Sequence, residues 1–197
     1  MELLPPAKLE RVMRGLATLD AILSDDWEFR YYSFNTKWGR GQRMGSMRDG
    51  CGDELFVVFT KNGVFLKGLA HEYPPGDVDA IYDGLPAKLK ALRSEPSFSM
   101  DDTSYGGWFD TAWTIRGAKK LGRVMRHHLA ILDGQAKTYR KYAASYFNAT
   151  VPLDAIEHVY AGKRLDQALV ARIDPDRQLA DLKLDLAEIG YGKKQNA

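Results

Sequence analysis

The sequence predicts an α+β fold: an antiparallel sheet of about five strands in meander order, packed by an N-terminal helix and by C-terminal helices. A helical apolar pattern comes first, short strand patterns with tight turns follow, and helical patterns return in the last quarter. The 197 residues are 45% hydrophobic and 27% charged, which is typical of a folded chain. We expect residues 1–149 to form the α+β domain and residues 150–197 a C-terminal helical subdomain packed on it.

The N-terminal helix is predicted from apolar residues spaced three and four apart between Leu9 and Leu23. Pro5 and Pro6 stand at its first turn, where a missing N–H costs little. Two short helices are predicted over residues 78–85 and 87–92. The later helices are predicted over residues 121–132, 137–147, 152–162 and 166–173, with a last one from residue 174 onward.

The strands are predicted from segments that are rich in aromatic and β-branched residues. They cover residues 27–34, 42–47, 55–60, 64–69 and 105–115. Residues 35–39 are predicted to form the first turn, and Asn62-Gly63 favours a type I′ hairpin between the third and fourth strands. Short links between successive strands indicate an antiparallel meander.

Several classes of protein are excluded by absent patterns. The longest apolar run, residues 55–59, is too short to cross a bilayer, and the first residues lack the pattern of a signal peptide. Cys51 is the one cysteine, so no internal disulfide is possible. No phosphate-binding, dinucleotide-binding or zinc motif is present, so we expect a cytoplasmic protein without a cofactor.

One candidate site lies in two loops that the meander brings to the same end of the sheet. We predict that Arg48 and Asp49 point toward His71 and Glu72 and form a polar cluster, which we interpret first as a structural clamp. Two further interpretations stay open. Cys51 could be a thiol activated by His71, and the acidic residues with His71 have the chemistry to hold a hard divalent ion.

A second candidate site is Trp38 with Arg40 in the first predicted turn, because an exposed Trp flanked by Arg is typical of an interface anchor. The alternative is that Trp38 folds back over the edge of the sheet. Trp27 and Trp113, by contrast, lie on faces patterned for the core. A third feature is residues 116–141, where eight basic residues and one acidic residue give a local charge of +7 in a chain of net charge +2. We interpret this stretch as a solvated surface balanced by acids elsewhere, with nucleic-acid binding as the alternative.

The sequence resembles an uncharacterised family of bacterial cytoplasmic proteins. The residues that carry the resemblance are 27–35, 44–50, 67–72, 132–134 with Tyr139, and 188–191. The resemblance implies a toxin-system immunity protein, and it transfers no catalytic residue.

Together these observations predict a non-enzymatic binding protein with a protein partner, no membrane association and no nucleic-acid partner. The expected binding residues are Trp38, Arg40, Arg48, Asp49, His71 and Glu72. The alternative is a small hydrolase or metal-dependent enzyme with its site at residues 48–53 and 71–72.

Overall fold

A six-stranded antiparallel sheet forms the centre of the protein in our computed structural model, which describes residues 3–117 and 119–192. Its strands follow one another in chain order, so the predicted α+β meander is confirmed, with six strands instead of about five. The strands are β1 Tyr32–Gly39, β2 Gln42–Arg48, β3 Glu54–Thr60, β4 Gly63–Leu69, β5 Tyr105–Phe109 and β6 Trp113–Gly117.

The additional strand arises because the segment predicted as one strand, residues 105–115, is a hairpin. Phe109 of β5 pairs with Trp113 of β6, and residues 110–112 form the turn between them. The two partners are an even number of residues apart, so the alternation of faces stays in phase across the turn. Periodicity alone therefore could not reveal the reversal.

The first strand begins later than predicted and runs through the predicted turn. Trp27–Phe29 is a 3-10 turn, in which the Asp26 side chain accepts a hydrogen bond from the Glu28 N–H. Strand β1 starts at Tyr32, and the chain reverses at Gly41, whose φ of 70° suits glycine.

Seven α-helices are present in the described residues. They are α1 Pro6–Leu23, α2 Val78–Ile81, α3 Gly122–Ala130, α4 Ala136–Tyr146, α5 Leu153–Tyr160, α6 Gln167–Ile173 and α7 Lys183–Ile189. None of them is long and apolar enough to cross a membrane.

Both faces of the sheet are covered, although the sequence predicted helices on one side of it only. One face packs against α1 and the helices from α4 onward, in a core that includes Leu16 and Ile156. The other face packs against α2 and the 3-10 segments Ala87–Ser94 and Pro96–Phe98. The uninterrupted apolar run in β3 serves both cores, which is why it does not alternate.

The C-terminal helices pack directly on α1. Gly15 of α1 lies under Tyr160 of α5, and a Cβ atom at this position would lie 2.5 Å from the tyrosine ring. Ile189 of α7 belongs to the same core. The domain boundary near residue 150 stays a prediction.

Candidate functional site

The meander brings the ends of four strands into one row. Arg48 of β2 pairs with Glu54 of β3, which in turn pairs with Leu69 of β4, and Tyr105 of β5 pairs with Gly68. The loops 49–53 and 70–77 therefore leave the sheet at the same end. Helices α3 and α4 close over this end, which we call the cleft end.

Asp53 holds this end together. Its Oδ1 atom accepts hydrogen bonds from the backbone N–H of His71 at 2.9 Å and from His71 Nδ1 at 2.7 Å. Its Oδ2 atom lies 2.8 Å from Nε2 of His128 in α3. One carboxylate thus links the loop before β3, the loop after β4 and a helix.

The chain of hydrogen bonds continues into the core. His128 is almost fully buried, and its Nδ1 atom lies 2.8 Å from the hydroxyl of the fully buried Tyr105. If Nε2 carries the proton, it donates to Asp53 while Nδ1 accepts from Tyr105, so that both ring nitrogens are satisfied. The phenol fits beside β4 because Gly68, its pairing partner, has no Cβ atom to collide with the ring.

The pKa of the Asp53 carboxyl lies below its ordinary value. Partial burial alone would raise it, but the hydrogen bonds from the backbone and ring of His71 and from His128 together outweigh that effect. In the other direction, the hydrogen bond to Asp53 raises the pKa of the His71 imidazole. Asp53 is therefore an ionised anchor, and His71 gains a proton more readily than a free histidine.

The predicted polar cluster forms around a different residue from those proposed. The Asp49 side chain folds its own loop, since Oδ1 accepts from the N–H groups of Cys51 at 2.8 Å and Asp53 at 2.9 Å. Arg48 lies 3.9 Å from Glu54 and above the ring of Trp27. Neither of them bonds to His71.

The predicted binding residues do not all share one site. Glu72 lines a small cavity of about 300 Å³ beside α3 and has no ion pair among residues 3–117 and 119–192. Trp38 and Arg40 lie at the opposite end of the sheet, roughly 20 Å away along β2. Trp38 stacks on Phe98 at 6.4 Å in the second core instead of projecting as an anchor.

Trp27, which the strand pattern assigned to the core, is 56% exposed. The reason is the 3-10 turn at Trp27–Phe29, which breaks the alternation on which that assignment rested. Phe29, predicted on the same inward face, is 59% exposed. These aromatic side chains are therefore on the surface.

A cleft of about 540 Å³ opens between the sheet, α3 and α4, and we call it the tyrosine cleft. Its lining residues include Tyr31, Asp49, His128, Lys141, Tyr142 and Tyr146. The rings of Tyr31 and Tyr146 lie 4.1 Å apart, and Tyr142 stacks on Tyr146 at 5.8 Å. The volume lies in the range that proteins use for binding sites.

Asp20, which no sequence pattern singled out, lies beneath this cleft. It is fully buried in α1 and accepts hydrogen bonds from the hydroxyls of Tyr139 and Tyr142 and from the backbone N–H of Tyr32. Burial raises the pKa of this carboxyl to about 7. The one available signal was the aromatic spacing of α4, since a buried tyrosine hydroxyl needs a polar partner.

Among the described residues, no three His, Cys, Asp or Glu side chains are arranged to hold a metal ion. A comparison of the chain with protein-family models, with curated proteins and with solved structures finds no match. The functional argument therefore rests on the geometry of the cleft end.

Proposed function

We propose that this protein is a non-enzymatic binding protein that receives a protein partner in the tyrosine cleft. The observation that carries the proposal is a large concave site walled by stacked tyrosines, with Tyr146 at its rim and 37% exposed. Tyrosine is among the residues that contribute most to protein interfaces, because it adds large contact area and a polar tip.

The polar groups around the cleft favour binding over catalysis. Both ring nitrogens of His128 have partners, and the hydroxyl of Tyr142 donates to Asp20. A general base needs a free nitrogen or oxygen directed at the space where a substrate would lie. These side chains instead give the cleft rigid walls, which reduces the entropy lost on binding.

The test is co-purification with the co-expressed product of the adjacent gene, followed by affinity measurement. Tyr146→Ala should weaken the complex by about tenfold or more, the loss expected for an interface hot spot. Arg40→Ala, an exposed change at the other end of the sheet, is the matched control and should leave affinity unchanged. If Arg40→Ala weakened the complex and Tyr146→Ala did not, the partner would bind at the hairpin of β1 and β2 instead of in the tyrosine cleft.

The finer form of the proposal is that the partner is a toxin, which is supported by the family resemblance. In that case, expression of this chain should rescue growth of a host that produces the adjacent gene product. Tyr146→Ala should lose this rescue at equal protein level. If the complex is stable but the partner alone causes no growth defect, the partner is not a toxin and the protein is a binding protein with another role.

A hydrolase at residues 48–53 and 71–72 is the second candidate, and the Asp53–His71 pair is the observation that favours it. His71 is exposed, and no described residue bonds to its Nε2 atom, as in a histidine oriented for proton transfer. We expect no turnover of p-nitrophenyl esters or phosphodiesters above that of His71→Ala and Cys51→Ala. Turnover that both variants abolish would establish the enzyme and reject the binding proposal.

A further inference from the structure

Five exposed basic residues on α3 and α4 have no ion pair with any other described residue. They are Arg123, Arg126, Lys137, Arg140 and Lys141. Some other surface cations of the same chain form ion pairs, as Lys88 does with Asp110 at 2.6 Å. Arg116, from the same basic stretch, lies 3.5 Å from Asp83. The helix cations thus form an uncompensated positive surface.

This positive surface borders the tyrosine cleft. Lys141 lines the cleft, and Lys137 lies one turn earlier on the same side of α4. On the other helix, Arg123 lines the smaller cavity, which it shares with the acid Glu72. The cations that border the tyrosine cleft itself are therefore the lysines of α4.

The carboxylates that line the cleft lie on a different wall from the lysines. Asp49 and Asp53 belong to the loop before β3, where hydrogen bonds within the fold hold both side chains. The positive charge of the cleft lies on the wall formed by α4, where Lys137 and Lys141 have no ion pair with any described residue.

We infer that the occupant of the tyrosine cleft is an acidic segment of a protein that carries an aromatic or large apolar side chain. The inference rests on the proposed function and specifies its partner. The apolar side chain enters the cleft beside the paired rings of Tyr31 and Tyr146, while Asp and Glu residues next to it face Lys137 and Lys141. Aromatic anchoring supplies affinity, and charge complementarity supplies orientation and a fast association rate.

A single-stranded nucleic acid has related chemistry, but the surroundings of the cleft disfavour it. The exposed Trp27, four residues before Tyr31, is flanked by Asp25, Asp26 and Glu28. A phosphate backbone that leaves the cleft in this direction would meet these carboxylates. An acidic peptide avoids them because its charges can be confined to the side of α3 and α4.

The experiment uses the full chain and three labelled probes, with fluorescence anisotropy as the readout. The probes are a random copolymer of glutamate and tyrosine, a glutamate homopolymer and oligodeoxythymidine. The copolymer should bind about tenfold or more tightly than either other probe, and its binding should weaken as salt rises. Lys137→Glu/Lys141→Glu should lower its affinity by about tenfold or more.

Lys90→Glu, an exposed charge reversal on the other face of the sheet, is the matched control and should change affinity by less than about twofold. Thermal unfolding checks that each variant folds, and Lys137→Gln/Lys141→Gln provides a milder change at the same positions. Equal binding of the two glutamate polymers would reject the aromatic anchor. Equal or tighter binding of oligodeoxythymidine would identify a nucleic-acid site instead.

Failure of this inference can be separated from failure of the proposed function. Suppose that a co-purified partner is lost with Tyr146→Ala but still binds Lys137→Glu/Lys141→Glu, and binds at high salt. The protein would then still bind a partner in the tyrosine cleft, but the inference that this partner is acidic would be wrong. Binding of the copolymer that is indifferent to Tyr146→Ala would place the acidic ligand outside the cleft.

Discussion

Asp20 and Asp53 each accept three hydrogen bonds, yet their pKa values move in opposite directions. The donors to Asp20 are two tyrosine hydroxyls and a backbone N–H, all neutral, and full burial raises the pKa to about 7. The donors to Asp53 include two imidazoles, one of them on the surface, and its pKa falls. Depth of burial, rather than the number of hydrogen bonds, therefore decides the direction in which the pKa moves.

The two carboxyls also support different walls of the same cleft. Asp20 holds the hydroxyl of Tyr142 and the start of β1 from below. Asp53 holds the loops and α3 from the side. Replacing Asp20 and replacing Asp53 should therefore change the free energy of unfolding by different amounts and with different pH dependence.

The largest effect is expected from Asp20→Ala, which leaves three buried donors without an acceptor. We expect the free energy of unfolding to fall by about 3–5 kcal/mol, measured by urea denaturation. Tyr142→Phe, which removes one donor and keeps the acceptor, should cost about 1 kcal/mol. A loss for Asp20→Ala no larger than that for Tyr142→Phe would show that Asp20 does not organise the cleft floor.

The change with pH that Asp20 causes in the free energy of unfolding should be nearly as large. Its folded pKa lies above the unfolded value near 3.8, so its contribution to stability is complete below that value and is lost as pH rises through about 7. The free energy of unfolding should fall with a slope of up to about 1.4 kcal/mol per pH unit between these limits. Asp20→Asn should remove this slope in urea titrations from pH 4.5 to 8, and an unchanged slope would contradict the raised pKa.

A smaller effect is expected from Asp53→Ala, since the site is partly open to water. We expect a loss of about 1–3 kcal/mol, together with faster hydrogen exchange of the α3 amides. Because the folded pKa of Asp53 is lowered, its contribution is present above the ordinary pKa and is lost as pH falls through the folded one. Unchanged exchange in α3 would mean that Asp53 does not anchor the helix.

The smallest effect is expected from His71→Ala, which removes the exposed partner and leaves His128 on Asp53. Its raised pKa means that its stabilisation is complete below about pH 6.5 and is lost as pH rises through the folded value. The difference in Tm from the wild type should therefore shrink in alkaline buffer, with partner affinity unchanged. Abolished binding at unchanged Tm would make His71 a functional residue instead of a clamp.

Local patterns predicted the elements whose neighbours are close in the chain. The hairpin between the third and fourth strands forms as predicted, with Thr60 paired to Gly63. The predicted type I′ turn is wrong, because the two turn residues are Lys61 and Asn62 and neither has a positive φ. Glu54 is the partner of Leu69, so Asp53 lies just before the paired residues, where its side chain reaches His71.

The sequence predicted only part of the candidate site, because one of its residues comes from a helix far along the chain. His71 and the loop of Asp49 follow from strand order, but His128 joins them from a helix 75 residues beyond Asp53. The adjacent pair His127 and His128 shows no preference in sequence for either neighbour. The docking of α3 on the sheet buries one and exposes the other.

Local patterns were enough to predict the α+β class, the meander order and the helical aromatic face of α4, because period, turn chemistry and short links are local properties. The packing of the helices places that aromatic face against Tyr31 over the buried Asp20, and it leaves five cations of α3 and α4 without an ion pair among the described residues. Such contacts depend on how helices far apart in the chain pack together, and residue spacing within one segment carries no record of that packing.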